Sequence, residues 1–224
     1  PVLFPHVGIM SLPEIADVWI QDWAPLPVKK GTGLLACVKS VYDPGYLAGS
    51  PWLARKDQKA GRELAHLLGD LIELPLVLDG GGLVSNGQGL GICTERIVAD
   101  NQGLHVHSHL RHALGISKLV VIPEEPFDVT GHVDGIVRFI SPDTLIVGAY
   151  PPDYREGFAY MNEVAQNLAS EVGDTFKIVR IENALPEMDG KEGMPSASGN
   201  YVNFLQSKNT ICLPSYGLSC EPGR

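Results

Sequence analysis

The chain has 224 residues, 44% of them hydrophobic and 19% charged, a balance that belongs to ordinary globular proteins and excludes a disordered chain. Its formal net charge is −9 and its 17 Lys and Arg are scattered, so it lacks the basic stripe a phosphate backbone requires and no nucleic-acid partner is expected. No apolar run approaches the ~20 residues of a membrane span, and the opening PVLFPHVGIM lacks a secretion signal's basic head and apolar run. A cytoplasmic protein with no membrane partner is therefore expected.

Apolar runs of strand length alternate along the chain with longer helical patterns, in a repeating order. ADVWIQDWAPLPV (16–28) and GLLACVKSVY (33–42) read as strands, RKDQKAGRELAHLLGDL (55–71) as a helix, and LPLVL (74–78) as a closing strand. A second pass gives strands GGLVSNG (81–87) and GLGICTERI (89–97) around an NGQG turn, then a helix over 102–115 and the strand KLVVIP. The third gives DGIVRFIS (134–141) and DTLIVGAY (143–150), a long helix over 154–172 and the strand FKIVRI. YVNFLQS and NTICLPSY then predict a hairpin around Lys208 and Asn209, the opening of a fourth unit that the remaining residues do not complete. Repeated ββαβ units bury their faces only against one another. The expected fold is therefore α/β, one domain over 1–224, with its units arranged as an α/β propeller.

Polar residues interrupt these runs at three places. Asp22 sits among tryptophans and aliphatics in VWIQDWAPL, where an unpartnered carboxylate costs several kcal/mol; a pocket position or a backbone amide or Arg partner would answer that cost. His132 and Asp134, two apart in DVTGHVDGIVRF, are expected on one face at the start of a strand, either as site residues or as a structural pair. Asp79 directly precedes Gly80, Gly81 and Gly82, a run that permits unusual backbone angles or the close approach of another segment; Asp in such a place also bonds nearby backbone. The run lacks the spacing of a nucleotide loop.

The segments WIQD, LDGGG with TER, GHVD, NYVNFLQ and LPSYG, in this order, resemble those of the guanidine-modifying enzymes, in particular agmatine deiminases and Porphyromonas-type peptidylarginine deiminases. The resemblance implies a pentein-like α/β propeller and a hydrolase that converts a guanidino group, of agmatine or of free or peptidyl arginine, to a ureido group and ammonia. It implies that Asp22 and Asp134 clamp the guanidinium, that His132 moves the proton, and that Trp19, Asp79 and Gly131 lie at the substrate pocket, although Trp19 could equally be a core tryptophan. Paired carboxylates suit a planar, forked cation. Attack at its central carbon suits a cysteine thiolate, and a histidine near pKa ~6.5 suits the departing amine and the incoming water; Asp134 could also steady the imidazole. No organic cofactor or metal is implied, and the expected partner is a small cationic guanidino compound or an arginine side chain, with homo-oligomerisation open.

The pattern also departs from the family. No GGGxIHC-like segment carrying the nucleophile is present, and Cys220, next to Glu221, stands in a different setting; a piece cut at both ends is expected. Cys37, Cys93 and Cys212 lie in apolar runs as reduced, buried thiols do, with no CxxC pair. Gln21 and Gly135 replace the Arg and Asn common in agmatine deiminases. His105, His109 and His112 would share one helical face, but no Cys or carboxylate converges there, so a solvated surface is expected rather than a metal site. The rival from another class is a non-catalytic or defective relative that keeps a guanidinium-binding pocket.

Overall fold

The computed structural model describes residues 11–12, 15–31, 33, 35–126, 128–185, 197–207 and 210–218. The expected order recurs three times. In the first unit, β1 (Leu26–Lys29) pairs antiparallel with β2 (Leu35–Val41), and helix α2 (Pro51–Leu68) crosses over to β3 (Asp70–Val77), which runs parallel to β2. The second unit has β4 (Leu83–Ser85), β5 (Leu90–Thr94), the short α3 (Glu95–Ala99), α4 (Val106–Leu114) and the parallel β6 (Lys118–Ile122). The third has β7 (Val137–Ser141), β8 (Thr144–Ala149), α5 (Arg155–Val172) and the parallel β9 (Lys177–Glu182). The hairpin β10 (Leu205–Ser207) with β11 (Thr210–Cys212) follows as a separate two-stranded sheet; its Lys208–Asn209 turn lies outside the described residues.

The sheets are joined by their side chains. Val38, Leu74 and Leu76 of the first unit share a buried cluster with Cys93, Ile97 and Leu110 of the second. Leu90, Ile92 and Ile122 share another with Val137, Leu145 and Val147 of the third, under the Tyr160, Met161, Val164 and Leu168 face of α5. That spacing of three and four is the apolar stripe of a helix laid on a sheet. Val202 and Phe204 close on Ile146 in the same way. Each unit thus buries its faces against its neighbours, the condition under which a repeat of this kind is stable.

Four sequence expectations are corrected. Residues 16–25 do not form a strand: WIQD folds into the helical turn α1 (Ile20–Trp23), because the Asp17 carboxylate accepts the Trp19 amide at 3.0 Å and Pro25 forces Ala24 back to extended backbone (ψ 160). Trp23, 1% exposed, is the core tryptophan of the pair, and Trp19 is 63% exposed. The strand expected through 89–97 stops at Thr94 and Glu95–Ala99 is helical. Tyr201–Phe204 precede β10 as a turn, since Asn200 Oδ1 accepts the Val202 amide at 3.1 Å and Asn183 Oδ1 the Tyr201 amide at 3.0 Å. His132 and Asp134 lie in a turn ahead of β7 rather than on it, with the amides of Ile136 and Val137 both bonded to the Val133 carbonyl at 2.9 Å. Their common orientation is therefore not a consequence of strand alternation.

Candidate active site

Three loops that carry the interrupting polar residues meet at Gly81. Its amide donates to Asp22 Oδ1 at 3.1 Å, and its carbonyl accepts the amides of Val133 (3.0 Å) and Asp134 (3.2 Å). A Cβ at Gly81 would stand 2.4 Å from His132 Nδ1, and one at Gly80 would collide with the Gln21 carbonyl. The glycine run is thus explained by close approach of other segments; the positive-φ glycines are elsewhere in the chain.

The turn bearing His132 is held by Asp128. Its Oδ1 accepts the Thr130 amide at 3.1 Å, its Oδ2 accepts the His132 amide at 3.1 Å, and the Thr130 hydroxyl bonds both oxygens at 2.9 Å. An aspartate folding the next residues onto its own carboxylate is common turn chemistry. Gly131, buried and at φ +67, makes the bend, and its carbonyl accepts the Thr94 hydroxyl at 2.5 Å. A side chain at Gly131 would press on Arg96, whose guanidinium pairs with Glu124 at 2.6 Å.

His132 stands between two carboxylates: Nδ1 is 3.9 Å from Asp22 Oδ1, and Nε2 is 3.4 Å from Asp79 Oδ2. Burial lowers the affinity of the ring for a proton, but the hydrogen bond with Asp79 and the charges of Asp22, Asp134 and Asp79 outweigh it and raise its pKa above the usual histidine range. Burial drives the Asp22 pKa up to about 6, against the lowering effects of His132 and the Gly81 amide. Asp134, 3% exposed, is also shifted upward by burial. Its Oδ2 accepts Gln21 Nε2 at 2.5 Å and Arg138 Nη1 at 3.3 Å. Arg138 is fixed in turn by the Phe204 carbonyl at 2.9 Å and by the face of the Phe204 ring.

Asp22, His132 and Asp134 open together onto one cleft of about 550 Å³, although Asp22 and Asp134 are 112 positions apart in the chain. Trp19, Gln21 and Tyr46 form one wall and Asn200 and Asn203 part of another. Asp79 and Gly131, expected at the substrate pocket, line instead a smaller cavity of about 200 Å³ on the other side of the His132 ring. Asp134, expected as a possible support of the imidazole, is not that support: the carboxylates within 4.0 Å of the ring are those of Asp22 and Asp79. Gln21 stood out in the sequence only as a replacement of a family Arg, and Asp128, Arg138 and Glu125 were not marked there as parts of the site. Asp128 had a signal, an Asp-x-Thr step just before the Gly-His pair; Arg138 and Glu125 had none. Glu125 faces the cleft with its carboxyl accepting the Tyr150 hydroxyl at 2.9 Å, and burial pushes its pKa up to about 7.

Of the cysteines, Cys37 and Cys93 are buried inside strands, burial raising the Cys93 thiol to about 12, whereas Cys212, expected to be buried, is exposed on the edge hairpin strand β11. None of these lines the cleft, and Cys220 lies outside the described residues. His105, His107, His109 and His112 belong to α4 and the residue before it; among the described residues no three His, Cys, Asp or Glu are grouped as metal ligands. No helix among them is long and apolar enough to cross a membrane.

Comparison with known proteins places this arrangement in context. Residues 7–221 match the family model of the Porphyromonas-type peptidyl-arginine deiminases. A Streptomyces coelicolor protein named "Putative agmatine deiminase" is 24% identical over 233 residues, covering 96% of this chain and 67% of its own. The crystal structure of the "Putative Arginine Deiminase from Porphyromonas gingivalis" superposes with a TM-score of 0.81 at 22% identity, covering 98% of this chain and 68% of that one. The C. jejuni agmatine deiminase superposes with a TM-score of 0.75 at 19% identity over 90% of this chain and 60% of its own. The α/β pentein-type fold is shared with these structures, and the chain spans roughly two thirds of the length of the relatives it matches.

Proposed function

The chain belongs to the Porphyromonas-type peptidyl-arginine deiminase family, and from that premise we propose that it serves the hydrolysis of a guanidino group to a ureido group and ammonia. The observation that carries this reading is the convergence of Asp22, Asp134 and His132 on one cleft. Each carboxylate spends one oxygen on the protein, Asp22 Oδ1 on Gly81 and Asp134 Oδ2 on Gln21 and Arg138, and keeps the other for a planar cation. Two such acceptors fix the plane of a guanidinium and present its central carbon to a nucleophile.

In this reading a thiolate adds to that carbon, the C–N bond to one terminal nitrogen breaks, and ammonia leaves with a proton delivered by His132, giving a thiouronium. His132 then takes one proton from water, which attacks the same carbon and expels the thiolate, and loss of the second water proton to solvent leaves the ureido group. Asp79 on the far ring nitrogen holds the imidazole and favours its protonated form, a role in orientation rather than in substrate contact. The thiolate is not among the described cysteines.

The cleft also supports a narrower substrate class. Asp22, Glu125, Asp128 and Asp134 line it, and among the described residues no Lys or Arg does, so it fits a guanidino compound without a free carboxylate, such as agmatine or an arginine within a peptide, better than free arginine. A single α/β domain acting in the cytoplasm without metal or organic cofactor belongs to the same proposal. The test is formation of ureido product and ammonia from agmatine, a benzoylarginine amide and free arginine by the protein that carries this chain. Turnover should fall at least 100-fold in Asp22→Asn and His132→Ala; turnover unchanged in both would overturn the reading. The absence of a described cysteine from the cleft favours one rival, a pocket that binds guanidinium without turnover, and binding of agmatine with no product would select it.

A further inference from the structure

Among the described residues Gln21 is the one amide side chain bonded to the proposed clamp, and with Asp134 ionised its amide has one consistent orientation. Asp134 Oδ2 is a carboxylate acceptor, so the group 2.5 Å from it must be the donating Nε2, which leaves Gln21 Oε1 as an acceptor. Gln21 lines the cleft, and no described residue takes that oxygen. Arg138 Nη1 reaches the same Asp134 oxygen at 3.3 Å from a guanidinium anchored on the Phe204 carbonyl at 2.9 Å. Asp134 is therefore held by two donors on one oxygen, while its buried carboxylate has little water to replace either partner.

We propose that Gln21 is a positioning and specificity-determining residue of this cleft: Nε2 fixes the Asp134 carboxylate in its ionised form, and Oε1 offers the bound guanidinium a third, uncharged acceptor. The proposal rests on the clamp reading given above. Two donors on Oδ2 leave Oδ1 as the remaining acceptor of Asp134, so the cation is offered three single oxygens, from Asp22, Asp134 and Gln21, instead of one bidentate carboxylate. Such a site demands N–H donors on more than one edge of the guanidinium. It selects a guanidinium over a plain ammonium, which lacks the planar spread of donors. Arg138 cannot substitute for Gln21, because it does not line the cleft and brings a charge of the same sign as the ligand.

The experiment uses methylguanidinium as the probe and methylammonium as its control, in calorimetry from pH 5 to 9, with the Asp134 side-chain carboxyl followed by carbon NMR in the ligand-free protein. Gln21→Leu removes both functions: above the Asp134 midpoint methylguanidinium affinity should fall 10- to 100-fold while methylammonium affinity falls much less, and the Asp134 titration midpoint should move to higher pH. Gln21→Arg restores a donor toward Asp134 but removes the neutral acceptor, so the Asp134 midpoint should return to or below its original position while methylguanidinium binding stays lost. Gln21 is solvent-exposed, and thermal denaturation of each variant reports its folding. An unmoved Asp134 midpoint and unchanged methylguanidinium affinity in Gln21→Leu would overturn the proposal. The ligand-free titration is independent of turnover: a moved midpoint, with no ureido product from the protein that carries this chain, would leave Gln21's positioning role standing and refute the deiminase reading alone.

Discussion

The imidazole of His132 occupies the space that a side chain on Gly81 would need, its Nδ1 only 2.4 Å from where a Cβ would stand. Two residues 51 positions apart in the chain are thus packed ring on backbone, and the same glycine donates its amide to Asp22. The ring, the acid and the turn they share are set by one close approach.

Gly81→Ala should therefore displace His132 and break the Asp22 contact together. The expected cost is about 1–3 kcal/mol of stability, the usual range for overpacking a close contact, with loss of methylguanidinium binding. Gly45→Ala is the control, since a Cβ there meets nothing within 4 Å and its φ is not positive. Denaturation midpoints and calorimetry on both variants check it; equal behaviour would show that the glycine is dispensable.

Asp22→Asn should weaken guanidinium binding 10- to 100-fold, the scale of a charge-assisted hydrogen bond of about 1.5–3 kcal/mol. In the unaltered protein the affinity should fall as pH drops through about 6, because the clamp needs the ionised carboxylate and burial has raised its pKa to that value. The same shift makes ionised Asp22 a liability to the fold: a raised acid contributes stability below pH 3.8 that is lost as pH rises through about 6. Asp22→Asn should thus unfold at a higher temperature at pH 7.5 while binding less. Binding that is flat from pH 5 to 8 would remove Asp22 from the clamp.

Glu125 gives a second pH signature of the same sign. Its pKa rises from 4.5 to about 7 through burial, so the native state holds a proton that the unfolded chain releases, and stability falls as pH climbs through that window. Glu125→Gln keeps the acceptor for the Tyr150 hydroxyl and removes the ionisation, and should flatten the stability profile between pH 5 and 8 by on the order of 2–3 kcal/mol. Denaturant midpoints against pH read this directly. A profile as steep in the variant as in the parent would place the titration elsewhere.

The 224-residue chain by itself should release no ammonia above background from agmatine or a benzoylarginine amide, because none of the described cysteines lines the cleft and the Cys37 and Cys93 thiols are buried and held protonated. The assay compares the chain with its Cys220→Ala variant. Turnover that disappears in that variant would identify Cys220 as the nucleophile.

The sequence alone determined the order and type of the elements. Helix and strand periodicities are local, and a strand, helix and strand in succession leave few alternatives to a parallel crossover, so α2, α4 and α5 and the strands they join were legible. It also marked Asp22, His132 and Asp134, because charged groups amid apolar runs need an explanation wherever the chain folds. What it misplaced was local backbone decided by side-chain hydrogen bonds: Asp17 turning WIQD into a helix, Asp128 folding GHVD into a turn, and Asn200 and Asn183 keeping Tyr201 out of a strand. Only the tertiary structure decided that Asp79 stands behind His132 rather than in the cleft, that Gln21 and Arg138 share one oxygen of Asp134, and that the three-glycine run is there to let a ring and a carbonyl come close. These contacts join residues 53, 113 and 51 positions apart, apart from the Arg138 bond within one turn. Propensity and periodicity extend over a few residues, so contacts at such separations are fixed by how the units pack and not by any one segment.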